Sequence, residues 1–253
     1  MPQDRDAGRQ RHEARSAFAV GALLLAALAW MLCRAGASAE AVLPAAAALY
    51  ALVAAIALRC MASSHPHGRF GAANAVTLLR AVLTCLVGGL LVDAPLLAGS
   101  RAWQWGAVAI VVVALALDGI DGWLARRQGL ASRFGARFDL EIDALLILLL
   151  SVAAWRLDRA GAWVIGAGLM RYAFIGAGRI WPWLAAPLPP SLRRKAVCAV
   201  QGGVLCGLLS PWFVPPASQF LAAAALAALC CSFLGDVLWL HRSRPRHPLP
   251  VPG

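Results

Sequence analysis

The sequence predicts an all-α integral membrane protein of about eight transmembrane helices, and three observations carry that prediction. Hydrophobic residues make up 61% of the chain and charged residues only 14%, against about 25% charged in ordinary soluble domains. The apolar residues are gathered into continuous runs, near 17–33, 41–58, 75–92, 102–120, 138–155, 162–180, 196–213 and 218–240. A bilayer core needs ~20 such residues per helix. The runs do not alternate as barrel strands would, and in lipid only a helix satisfies its own backbone groups within one segment.

The breaks between runs carry turn-forming residues, as in Ser63-Ser64-His65-Pro66-His67-Gly68 and Pro187-Leu188-Pro189-Pro190. The first run could be a cleaved signal peptide, because Ala37-Ser38-Ala39 has the small-residue pattern of a cleavage site. Its long charged start favours an uncleaved span. Residues 1–16 are therefore expected as a cytoplasmic N-terminal segment, 17–69 as two helices and a loop, and 241–253, rich in proline and arginine, as a disordered tail.

The formal net charge is +11, and Lys195 is the only lysine. Nucleic-acid binding would gather such charge in one patch, whereas here arginines punctuate the apolar runs, so no nucleic-acid partner is expected. Arg34, Arg101, Arg156 and Arg159 fall on one side. Every other arginine and the lysine, Arg171 and Arg179 apart, fall on the opposite side, including Arg80. That imbalance places both termini and residues 118–143 in the cytoplasm. The arginine and alanine bias points to a bacterial inner or plasma membrane. The cysteines lack metal-site spacing and read as small apolar residues. Trp103, Trp105, Trp181, Trp183 and Trp212 cluster at run ends as interfacial belts.

Acids are scarce, yet five of the twelve, Asp118, Asp121, Asp139, Glu141 and Asp143, fall between residues 118 and 143. Asp118 and Asp121 share a helix face at i, i+3, and Asp139 and Asp143 share one at i, i+4. Glu141 falls on another face. Gly129, Ser132 and Gly135 supply a turn between the two runs, so the carboxylate pairs face each other across a hairpin. From Arg101 to Asp118 a helix climbs ~26 Å at 1.5 Å per residue, which sets the acids at the cytoplasmic edge of a ~30 Å core. Four converging carboxylates repel one another unless cations neutralise them. Oxygen ligands without nearby His or Cys favour Mg²⁺, Mn²⁺ or Ca²⁺ over zinc, and two such ions could clamp a pyrophosphate.

The stretch Asp118-Gly-Ile-Asp121-Gly122-Trp-Leu-Ala125-Arg126, followed after eight residues by Gly135, then Asp139 and Asp143 at four-residue steps, resembles the signature D-x2-D-G-x2-A-R-x8-G-x3-D-x3-D of the CDP-alcohol phosphatidyltransferase family. Every fixed position matches. Upstream, Asn74-Ala-Val-Thr77-Leu-Leu-Arg80 is similar to the N-x2-T-x2-R that opens the family's core. The resemblance covers about residues 70–240 and implies a six-helix catalytic core, with the first two helices added to it. The chain departs from many members at Ala144, where they carry a basic residue.

The resemblance implies roles for particular residues. Asp118, Asp121, Asp139 and Asp143 would hold Mg²⁺ or Mn²⁺, as two ions, and Asp143 would also act as general base on the acceptor hydroxyl. Asn74, Thr77, Gly122, Ala125, Arg126 and Gly135 would shape the nucleotide site. The donor would be CDP-diacylglycerol or a related CDP-alcohol and the acceptor a small alcohol, with CMP released into a site bordered by membrane lipids. A phosphorylated acceptor would need its own cations, and Arg133, Arg137, Arg171, Arg193, Arg194 and Lys195 are the candidates. Asp236, near the end of the last run, is expected as a structural partner for an arginine. The competing readings are a CDP-choline or CDP-ethanolamine phosphotransferase acting on diacylglycerol and a divalent-cation transporter. A transporter would place acids near the bilayer midplane on several helices, not at one edge on one hairpin. A homodimer is compatible with all of this.

The topology is open to test by labelling. A cysteine introduced at Leu130, in a background stripped of native cysteines, is expected to resist an impermeant thiol reagent added outside intact cells. Ready labelling there would reverse the orientation.

Overall fold

The computed structural model describes residues 2–64, 72–128, 133–189 and 191–243. Among these it is helical throughout: α1 (Pro2–Arg34), α2 (Ala39–Ser64), α3 (Ala72–Leu90), the short α4 (Ala94–Gly99), α5 (Arg101–Gln128), α6 (Arg133–Arg156), α7 (Ile165–Ile180), α8 (Leu192–Leu208) and α9 (Ala217–Arg242). Each apolar run of the sequence coincides with one long helix. Among the described residues, five segments are long and apolar enough to cross a membrane: Glu13–Arg34, Ala39–Arg59, Asn74–Gly99, Arg101–Gly119 and Ala217–Arg242. The expected count of about eight is met as helices. However, α6 carries Asp139, Glu141, Asp143 and Arg156, and α7 and α8 are only 16 and 17 residues long.

Two helices extend beyond their apolar runs. α1 runs helically through residues 2–16, because no proline or glycine pair interrupts that polar stretch. α9 continues to Arg242, two residues into the predicted tail; residues 244–253 lie outside the described ones.

The centre of the bundle is α3, which packs against α1, α2, α5 and α6. Across an 18-residue stretch of the Asn74–Gly99 segment 72% of residues are buried in protein, against 22–28% in the corresponding stretches of the other four. Lipid tails are as apolar as leucine, so close packing, more than solvent exclusion, must hold such helices together. Glycines provide it. A side chain at Gly89 would meet the Val42 carbonyl oxygen at 2.9 Å, so α2 can approach only a bare backbone there. On the other side of the bundle, a Cβ at Gly168 would collide with the Cα of Leu148 and bring α7 off α6.

One core cluster surrounds Val87, Leu90, Val111, Leu146, Leu150, Leu205 and Leu209, uniting α3, α5, α6 and α8. A second joins α1 and α2 to Leu78, Val82, Phe138 and Ile142 of α3 and α6. In it Phe18 meets Phe138 edge-on, with ring centroids 6.0 Å apart. The Tyr50 hydroxyl donates to the Phe18 carbonyl at 2.8 Å. The end remote from the aspartates is fastened by polar contacts: Ser218 Oγ donates to the Arg159 carbonyl at 2.6 Å and the Ser38 amide to Asp93 Oδ2 at 2.9 Å. Trp105 and Trp212 stack edge-on there, 4.8 Å between centroids.

The α6–α7 approach predicts unequal effects from two glycines of one helix. Gly168→Ala is expected to lower detergent-solubilised stability by about 1–3 kcal/mol through overpacking. Gly166→Ala, which meets nothing within 4 Å, is expected to be neutral or slightly stabilising. Thermal unfolding of the two variants checks this, and equal midpoints would contradict the packing.

Candidate active site

Three helices build the site. Asn74, Thr77 and Arg80 recur every three residues on α3, so they fall within one third of the helix circumference, and all three are buried. α5 contributes Asp118, near the end of its apolar stretch. α6 runs back antiparallel and contributes Asp139 and Asp143 from successive turns. Oxygens of these three carboxylates lie within 4.8 Å of one another, so the hairpin brings together the residues that helical spacing had placed on facing sides.

Arg80 occupies the middle of the cluster, and only 1% of its surface is exposed. Its Nη1 forms an ion pair with Asp118 at 3.1 Å and donates to Asp139, while Nη2 donates to Asp143. Nε donates to the Ala114 carbonyl of α5 at 3.2 Å. The charge had been counted with the cytoplasmic loops; it lies instead inside the bundle. The signal was present in the sequence, since an arginine six residues after Asn74 already falls within an apolar stretch, where ionisable groups are costly and usually functional.

The aspartates themselves remain open to ligand, with side chains 46%, 31% and 40% exposed for Asp118, Asp139 and Asp143. Three carboxylates at this spacing, without thiol or imidazole, form the oxygen donor set of a hard divalent cation, so the residues present fit a metal of that class. The side chains of Asp121, Gly122, Ala125, Arg126 and Arg133 lie outside the described residues; their backbones continue α5 or open α6.

Glu141 faces α7, where its Oε1 accepts from Arg171 Nη2 at 2.7 Å. Arg171 Nε is buried and has no partner. Asp236 of α9 accepts from Arg193 at 2.7 Å and from Arg194 at 3.3 Å, and Gly235 leaves room for the Arg193 guanidinium. Arg194 also donates to the Pro189 carbonyl. Arg137 lies in the second turn of α6, and it and Lys195 are exposed. The helix starts at Arg133 because Gly135 is tolerated within its first turn. On α8 the Cys198 thiol lies within electrostatic reach of Asp118, Asp143, Arg171 and Arg194. Of the candidate arginines, Arg171 is tied to α6, the helix that carries Asp139 and Asp143.

Fold and site together define a multi-pass membrane protein with a carboxylate centre at one end of its helix bundle. The chain belongs to the CDP-alcohol phosphatidyltransferase family, whose sequence pattern matches residues 70–234. It is similar to a probable cardiolipin synthase (CMP-forming) of Drosophila melanogaster, 29% identical over 123 residues, which are 48% of this chain and 36% of that protein. The matched part thus spans about a third of the relative's length. No solved structure matches the chain significantly. The helices α1 and α2 lie outside the family match.

Proposed function

We propose that this protein makes phospholipid by transferring a phosphatidyl group from CDP-diacylglycerol to a small polar alcohol, with release of CMP. The convergence of Asp118, Asp139 and Asp143, inside a chain of this family, carries the reading. The acceptor hydroxyl attacks the β-phosphorus of the donor, and the bond from that phosphorus to the bridging oxygen of CMP breaks. Asp143 takes the hydroxyl proton, and the electron pair of the broken bond leaves with CMP. Asn74 and Thr77 bind the cytidine end, Gly122, Ala125 and Gly135 keep backbone and side-chain bulk away from the nucleotide, and Arg126 contacts its phosphates. Asp118, Asp121, Asp139 and Asp143 would hold Mg²⁺ or Mn²⁺, as two ions, which when bound supplies charge neutralisation for the pyrophosphate and for departing CMP. Transfer of this kind depends on positioning and electrostatics, so it requires no Ser or Cys nucleophile. The arginine imbalance supports a cytoplasmic site and cytoplasmic termini in a bacterial inner membrane.

For the acceptor, the candidate arginines support a phosphorylated polyol. Arg171 keeps a buried Nε without a partner, and such a group costs about 1–3 kcal/mol unless a ligand meets it. The sequence adds Arg133, Arg137, Arg193, Arg194 and Lys195 as further candidates for a basic rim. The pairing of Arg171 with Glu141, and of Arg193 and Arg194 with Asp236, leaves this rim less positive than its arginines alone would make it. The similarity to a CMP-forming cardiolipin synthase favours a second reading, in which the product is a cardiolipin.

Purified protein given CDP-diacylglycerol, divalent cation and a panel of alcohols is expected to release CMP. Alanine at Asp118, Asp121, Asp139 or Asp143 is expected to lower that rate by about a hundredfold or more, and EDTA to abolish it. Glu141→Ala, which removes the partner of Arg171 only, is expected to stay within about tenfold of wild type. Full activity after exhaustive EDTA treatment, or equal losses at Glu141 and Asp143, would contradict the assignment.

The same panel decides the acceptor. A phosphorylated polyol is expected to be the best substrate, and Arg171→Ala to raise its KM by about tenfold or more. A best acceptor without phosphate, an unchanged KM, or a cardiolipin identified by product mass would each set that reading aside.

A further inference from the structure

We propose that Arg80 is the resident counter-cation of the carboxylate site and competes with the divalent ion for it, so that this one side chain sets how tightly the site takes metal. The inference rests on the reading that Asp118, Asp139 and Asp143 hold such an ion.

The geometry is specific. The two terminal nitrogens of one guanidinium engage all three candidate metal ligands: Asp118 and Asp139 through Nη1 and Asp143 through Nη2. A guanidinium cannot shed its proton inside a protein, so its positive charge is permanent. Any cation drawing on these oxygens must therefore approach a like charge a few ångströms away and displace at least some of its hydrogen bonds. The arm has a place to remain while that happens. Nε is tied to the carbonyl of Ala114, one turn from Asp118 on the same helix, and the side chain is enclosed within the bundle. Its terminal fork can yield to metal without the arginine leaving the site.

The arrangement has two consequences of opposite sign. With Arg80 in place, the three carboxylates and the guanidinium carry a net charge of minus two, and the cluster is tolerable before metal arrives. With Arg80 removed, the site becomes more negative and more attractive to a divalent ion, and the protein lacking metal becomes less stable. A residue that merely held the carboxylates in position would act otherwise, because its loss would weaken metal binding or leave it unchanged. The sign of the change separates the two roles.

The test uses the purified full-length protein, with Mn²⁺ binding followed by electron paramagnetic resonance and thermal unfolding followed in EDTA and in Mn²⁺. Arg80→Gln is expected to bind Mn²⁺ about ten- to hundredfold more tightly than wild type. It is also expected to unfold earlier in EDTA and to gain more from added Mn²⁺. Arg80→Lys, which keeps the charge and loses the fork, is expected to bind Mn²⁺ within a few-fold of wild type while still unfolding earlier in EDTA. Recovery of folded Arg80→Gln only when Mn²⁺ is present throughout purification would support the proposal. Unchanged or weaker Mn²⁺ binding in Arg80→Gln, or a variant that Mn²⁺ fails to rescue, would overturn it. A wild-type protein that does not bind Mn²⁺ would remove the metal reading and this proposal together. Wild-type binding with unaltered affinity in Arg80→Gln would remove the role of Arg80 alone.

Discussion

Three carboxylates held within 4.8 Å of one another are the constraint around which this bundle is arranged. At an effective dielectric of about 20, each like-charge pair at that range costs upwards of about 3 kcal/mol, lowered where the side chains face solvent. Apolar packing cannot offset repulsion that is built into one hairpin; a cation has to. The protein supplies one of its own in Arg80, and because a buried guanidinium is itself costly to desolvate, the two problems solve each other. The Ala114 carbonyl takes a further donor of the same arginine, so four groups of α5 and α6 are tied to α3 through one side chain.

That tie explains why α3 is the most enclosed helix. Its apolar remainder is wrapped by α1 and α2 on one side and by α5 and α6 on another, with Gly89 admitting the backbone of α2. The two helices outside the family match also reach the active region. Phe18 of α1 packs on Phe138, the residue before Asp139, and Tyr50 of α2 secures the backbone of Phe18. The apolar packing of the added pair is thereby continuous with the start of the helix that carries two of the aspartates.

A second set of ion pairs does not involve Arg80. Glu141 holds Arg171 across α6 and α7, and Asp236 gathers Arg193 and Arg194 between α8 and α9. These contacts hold the arginines at fixed places, and α7 and α9 also meet through aromatic edges such as Phe174 on Phe233.

The helices, their order, the antiparallel hairpin and the facing of Asp118 toward Asp139 and Asp143 were legible in the sequence. Hydrophobic run length and the 3.6-residue period are local properties, and a short connection leaves a hairpin little choice. The separation of Glu141 from Asp143 followed from the same period. What only the tertiary structure decided is which partner each charge takes. Arg80 read as one more positive-inside arginine until α3 was placed between α5 and α6, because a single chain of residues does not say which helix will occupy the centre. The sharing of Asp236 by Arg193 and Arg194, and the capture of Arg171 by Glu141, likewise join residues some 30 to 43 positions apart. Period and composition fix what a helix presents on each face, whereas the pairing of charges depends on distances between helices, and those are set by the packing of the whole bundle.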